Sequence, residues 1–454
     1  LCAALAFVPM NGLDPTGKGV LLVFLWAILM WIVRPIPEYL VGVLAAAILA
    51  IFFGQKANVV SGFATSGWWL CLWAGFIGSV IKFSGLGERV AYWILVKLTK
   101  SELSANYATS LANTVLSLMI PSNTARGAVM SPICDNICDG MGYKRGEHKG
   151  DAAIMLSNLY TNTTNTWLFY TAVGANAIGM ALVEEMTGQS ISWTGWLKAT
   201  CIPAGIIVLL IHLITNFLFG TRKGEKRSID IEFAKKKLEE MGPLTVKEKK
   251  AAIYFALTLL AFCTNGIHHV APDYVVFVTI FLMLCPGIGV CSFKDVGPNF
   301  AWPAFIQLGF AMSLASCVNK TGGFQWLVDA MFTTNPAFSA MDPTLFITIW
   351  LAFVVVSHII FAGMNAMEAV LVPVSMTMAA ALGFDVYTMG LLTVMAIAPS
   401  ANFLPFNSAP NLIYASTDRF STAQQLKGAI VIAVLVIIGF VFLVNVWFPV
   451  IGIL

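Results

Sequence analysis

The residues able to do chemistry in this chain are gathered in four short polar breaks inside apolar runs. The first is Pro121-Ser122-Asn123-Thr124-Ala125-Arg126-Gly127. The second is Thr171-Ala172-Val173-Gly174-Ala175-Asn176-Ala177-Ile178, the third Ala362-Gly363-Met364-Asn365-Ala366, and the fourth Asn407-Ser408-Ala409-Pro410-Asn411-Leu412-Ile413. Hydroxyls and amides are neutral donors. A helix starting at each break adds free N–H groups and the positive end of its dipole, which suits a carboxylate. The predicted substrate contacts are Ser122, Asn123, Thr124, Thr171 and Gly174 in the first half, and Asn365, Ala366, Ser408, Ala409 and Pro410 in the second. Arg126 lies two positions beyond the first tip, where a charge costs at least about 2.5–3.5 kcal/mol unless compensated. His358 is read as its counterpart before Asn365, and both are predicted to supply fixed positive charge. Glu368 is the acid near the second tip, and it could pair with Arg126 or with His358.

These breaks need elements to hold them, and the composition says which. Hydrophobic residues make up 58% of the 454-residue chain and charged residues 11%, with a mean hydropathy of +0.81. A soluble domain carries about 25% charged residues, so this chain could not cover a soluble surface. Runs such as Val20–Val33, Trp68–Phe83, Ile202–Phe219 and Ala429–Val450 are solid apolar blocks rather than alternating strands. They predict an all-α polytopic membrane protein. Polar backbone at membrane depth survives only where protein or a wet cavity satisfies it, so four breaks at matched positions imply one shared cavity.

The matching defines two halves. Residues 1–18 read as the end of a first transmembrane helix and an outer loop. Residues 19–220 form a first repeat, with a re-entrant hairpin at about 104–140 and a broken helix at about 151–184. Residues 221–250 form a basic linker, cytoplasmic by the positive-inside rule and expected to be a solvated connector. Residues 251–454 form a second repeat, with a hairpin at about 343–383 and a broken helix at about 386–416. Flanking charges turn the two hairpins to opposite sides, which makes the repeat inverted, an arrangement transporters use around a midplane site. The nine cysteines are scattered, and Cys134 and Cys138, one turn apart, read as packing residues. No metal quartet, cofactor motif or hydrolase motif is present, and no basic patch interleaved with aromatics points to nucleic acid. The bland alternative, a channel, has no need of two opposed hairpins.

At these residues the chain resembles the divalent anion/sodium symporter family, over nearly its whole length. The family hallmark is Ser-Asn-Thr at each hairpin tip, followed by a broken helix. Ser122-Asn123-Thr124 is intact, and its extension to Arg126 is similar to the dicarboxylate exchanger branch. Gly174 and Asn176 fall on the first unwound stretch, and Ser408 and Pro410 on the second. The second tip keeps Asn365 but reads Met364-Asn365-Ala366, without hydroxyls. Positions a turn before the tips that carry ion-binding hydroxyls in sodium-coupled relatives are Leu118 and Ile360 here. The resemblance implies an elevator-type homodimer in a bacterial inner membrane, in contact with lipid. It implies sodium-independent exchange of C4/C5 dicarboxylates, with sodium-coupled symport as the rival.

Overall fold

The structure, a computed structural model, describes residues 10–147, 150–220, 230–330, 341–361 and 363–453, and every element in them is helical. The expected helix end at 1–9, and Lys149, Arg222, Lys223, Lys226, Arg227, Met331 and Ala362, lie outside the described residues.

The first half runs α1 (Pro15–Val33), α2 (Glu38–Phe52), α3 (Ser66–Ser84), α4 (Leu86–Leu98), α5 (Glu102–Met119), α6 (Asn123–Gly140), α7 (Asp151–Leu168), α8 (Gly174–Thr187) and α9 (Trp193–Phe219). Helix α10 (Glu232–Met241) follows in the linker. The second half runs α11 (Val246–Cys263), α12 (Pro272–Leu284), α13 (Trp302–Lys320), α14 (Gly323–Val328), α15 (Pro343–Ser357), α16 (Met364–Leu382), α17 (Val386–Ile397), α18 (Ala409–Ala415) and α19 (Thr422–Phe442). Local chemistry sets the ends. Asp14 Oδ1 accepts from the Gly17 N–H at 2.7 Å and Pro15 occupies the first turn of α1. Thr245 and Glu248 form a reciprocal capping box on α11.

The order of elements is the same in both halves. Helices α3 and α13 each follow a short 3-10 turn and are bent from it, by 50° and 66°. Each is ended by a glycine in the left-handed region, Gly85 (φ 82°) directly and Gly322 (φ 76°) one residue on, which L side chains rarely adopt. Helices α1 and α9 and the stretch Thr422–Ile451 are long and apolar enough to cross a bilayer. Helix α16 passes the same test, but it is the second arm of a hairpin with α15, as α6 is with α5. Packing between the halves is reciprocal: α3 lies on α12 and α13 on α2, while α8 lies on α16 and α18 on α6. Reciprocal contacts of this kind are what a pseudo-two-fold axis through the centre produces.

The described part of the linker, 230–250, is more than a solvated connector. Helix α10 docks on α4 and buries Ala234. Arg89 of α4 reaches the linker's far end: its Nε donates to Glu248 Oε1 at 2.6 Å, and its two Nη atoms donate to the Gly242 and Met241 carbonyls at 2.8 and 3.0 Å.

A second arginine joins the repeats. Arg419, fully buried in the turn after α18, donates to Asp135 Oδ1 at 2.7 Å, to Asp139, and to the Tyr143 carbonyl at 2.9 Å. It ties the far end of the first hairpin to the second broken helix. Leucine in its place would strip Asp139 of this partner and leave Asp135 to Arg145 alone, beside an apolar side chain. Because Asp139 is half-exposed, the expected loss is about 2 kcal/mol, below the ~3–5 kcal/mol of a fully buried pair. A thermal melt of Arg419→Leu in detergent that matches the parent would refute this.

Candidate functional site

The two hairpin tips meet at the centre of the molecule, where Asn123 Nδ2 donates to Met364 Sδ at 3.9 Å. Helix α6 is capped by Ser122, whose Oγ accepts from the Ala125 N–H at 3.2 Å, and α16 by Gly363. Pro132 and Pro373 stand at the same distance beyond these caps. The structural counterpart of Asn123 is therefore Met364. Pairing Asn123 with Asn365 by residue type is one position out. His358, at the end of α15, precedes its tip, whereas Arg126 follows its own, so the two are not repeat-equivalent.

The broken helices match more closely. Asn176 Nδ2 donates to the Thr166 carbonyl at 2.7 Å and to that of Tyr170 at 3.1 Å. Asn411 Nδ2 donates to Ala401 O at 2.9 Å and Leu404 O at 2.8 Å. Each amide reaches back across the unwound stretch and satisfies the carbonyls that the break exposes, as buried backbone requires.

Arg126 is fully buried, and its partners come from three elements. Nε donates to Asn162 Oδ1 at 2.9 Å and Nη2 to the Asn162 carbonyl at 2.9 Å. Nη1 donates to Ile120 O of the hairpin tip at 2.8 Å and to Ala172 O of the unwound stretch at 2.6 Å. The guanidinium thus fills a cage of oxygens, and no carboxylate among the described residues pairs with it. At the second tip the carbonyl of Phe361, the counterpart of Ile120, and that of His358 accept from Asn407 Nδ2 at 3.2 and 2.7 Å. His358 is fully buried, its Nδ1 lies 2.8 Å from Ser400 Oγ, and its Nε2 has no partner among the described residues. Glu368 pairs with neither Arg126 nor His358. Its carboxyl is buried without a hydrogen bond among the described residues, packed where a Cβ on Gly179 would stand 2.3 Å away.

The remaining predicted residues divide by environment. Thr124, Thr171, Gly174 and Asn365 are half-buried, and Ala409 is exposed. Thr171 and Gly174 line a cavity with Pro121, Cys71 and Ala74 of about 10 Å³, room for about one water. Ala366 is buried, Pro410 packs on Gly127, and the Ser408 hydroxyl reaches the Ala401 carbonyl at 3.4 Å. The hydroxyls of Ser117 and Ser357, beside the Leu118 and Ile360 positions, bond their own helices' carbonyls, at 2.6 and 2.9 Å.

The polar run Asn158–Thr166, which by sequence could line the cavity or join helices, is wholly buried and joins helices: Asn113 donates to Asn158 Oδ1 at 2.8 Å, Tyr414 donates to the same oxygen, and Thr163 bonds Asn402 at 2.5 Å. Sequence reasoning missed one cation near the second tip. Arg34, ion-paired with Glu38 at 2.8 Å, brings its Nη2 within 3.6 Å of the position a Cβ would take on Gly363. A cation interrupting the apolar runs of α1 and α2 was the available signal for it.

Known proteins place this geometry. The family model described as the sodium:sulfate symporter transmembrane region matches residues 1–454. The inner membrane protein YbhI of Escherichia coli is 27% identical over 394 residues, covering 84% of this chain and 80% of that protein. The L-tartrate/succinate antiporter of Shigella sonnei is 26% identical over 489 residues, covering 99% and 96%. Among solved structures, the YdaH transporter of Alcanivorax borkumensis superposes with a TM-score of 0.64 over 95% of this chain and 98% of its own, at 12% identity, which speaks for the fold alone. The chain is a multi-pass membrane transporter, and it belongs to the sodium:sulfate symporter family, the divalent anion/sodium symporters that its hairpin motif resembles.

Proposed function

We propose that this protein exchanges C4/C5 dicarboxylates across the membrane without sodium, its fixed cations standing where sodium ions would otherwise bind. The observation that carries the reading is the oxygen cage around Arg126. Carbonyls from a hairpin tip and an unwound stretch, with an amide oxygen beside them, are the ligand set a sodium ion would use. Here a guanidinium that cannot leave occupies it. His358 supplies the second positive site when protonated.

Shape supports the substrate class. One carboxylate is held by Ser122, Asn123, Thr124, Thr171 and Gly174, the other by Asn365, Ala366, Ser408, Ala409 and Pro410. The two hairpin tips meet at Asn123 and Met364, and a linear dicarboxylate has two equivalent ends. The related antiporter's name points the same way. Exchange follows from charge: an empty carrier would move unneutralised cations through low dielectric, whereas the loaded one is closer to neutral. The protein works as an elevator in a homodimer of the bacterial inner membrane, one rigid part carrying both hairpins past the other.

Radiolabelled succinate uptake into proteoliposomes tests this. Uptake is expected to need internal dicarboxylate and to be unchanged when choline replaces sodium. Uptake into empty vesicles driven by a sodium gradient would make the protein a symporter instead.

A further inference from the structure

Thr171 lies in the stretch between α7 and α8 and faces the cavity at the first hairpin tip. Its Oγ1 accepts a hydrogen bond from Nε1 of Trp193 at 3.2 Å. Trp193 opens α9, is 5% exposed, and stacks on Phe262 of α11 with ring centroids 6.3 Å apart and planes 24° from parallel. An indole N–H donates and never accepts. A hydroxyl that receives such a bond turns its own hydrogen away from the donor. Thr171 Oγ1 donates to no described residue, so that hydrogen is left for the cavity.

We infer that Trp193 is a positioning residue that aims the Thr171 hydroxyl hydrogen at a substrate carboxylate. An unconstrained threonine hydroxyl offers a donor or an acceptor with equal ease. With one lone pair taken by the indole, this one turns its hydrogen away from Trp193 and toward the cavity. A carboxylate oxygen accepts that hydrogen bond. The stack on Phe262 fixes the indole plane and therefore the direction of the N–H. The inference rests on the dicarboxylate reading of the site.

The test is a mutant cycle on succinate exchange in proteoliposomes. Trp193→Phe keeps the ring and its stack but removes the N–H. Its KM for succinate is expected to rise about 5-fold, with maximal rate within about 2-fold, as suits a neutral bond acting through another group. Thr171→Val is expected to raise KM about 10-fold, and adding Trp193→Phe to it to change nothing further. An unchanged KM in Trp193→Phe overturns the inference, as does an equal effect in the Thr171→Val background, because a merely structural indole would act in both. Failure of wild-type protein to exchange succinate would instead sink the dicarboxylate reading, and the role assigned to Trp193 with it.

Discussion

Arg126→Ala is expected to lower succinate exchange by at least about 100-fold, equivalent to about 3 kcal/mol. Two losses combine. The site forfeits its fixed cation, and Ile120 O, Ala172 O and both oxygens of Asn162 lose their donors. Arg126→Lys separates them, because it keeps the charge but cannot span three elements with one ammonium. It should fall between alanine and wild type. The vacated cage is lined by carbonyl and amide oxygens, the ligand type a sodium ion uses, so residual uptake by Arg126→Ala should be stimulated by sodium where the parent's is not. Wild-type exchange by a folded Arg126→Ala protein would remove Arg126 from the mechanism.

The second large effect is mechanical. Helix α3 faces the first hairpin and broken helix largely with small residues, Gly67, Cys71, Ala74 and Gly78, with Leu70 among them. A Cβ on Gly67 would stand 2.6 Å from the Ala177 carbonyl, and one on Gly78 2.8 Å from Pro121 Cδ, while Cys71 Sγ donates to Gly174 O at 3.1 Å. A track this smooth is what a sliding contact requires. Gly67→Leu would drive a side chain into backbone that cannot retreat, at a cost of about 1–3 kcal/mol in packing, and would hold α8 off α3. Exchange is expected to fall by about 30-fold or more with succinate binding preserved, as read by ligand-induced thermal stabilisation. Gly205→Leu, on a face of α9 with nothing within 4 Å, is the matched control and should exchange normally. Full exchange by Gly67→Leu would argue against sliding along α3.

The hairpins and broken helices were legible because lipid tolerates no unpaired backbone, so a polar break in an apolar run is conspicuous. The register of the second hairpin was not. Asparagine drew the alignment to Asn365, whereas the physical marks of equivalence are a helix cap and an internal proline, and the caps differ in type, Ser122 against Gly363. Arg126 announced itself as a buried charge, but its ligands are carbonyls, and every residue has one. Only the fold reveals which three elements converge on it. Asn407 was missed as a holder of the second tip for the same reason. The role of Trp193 depends on a direction of approach that spacing does not encode.

The matched amides Asn176 and Asn411 bear on the history of the chain. Each reaches back over the same span to the same kind of orphaned carbonyl, as two copies of one ancestral half would after gene duplication and fusion. Such a half, inserting in both orientations, would have met itself across the axis where Asn123 now meets Met364. Fusion freed the copies to diverge. Gly127 now makes room for Tyr414 on one side, while Gly179 makes room for Glu368 on the other, a pair of changes that no symmetric ancestor could hold.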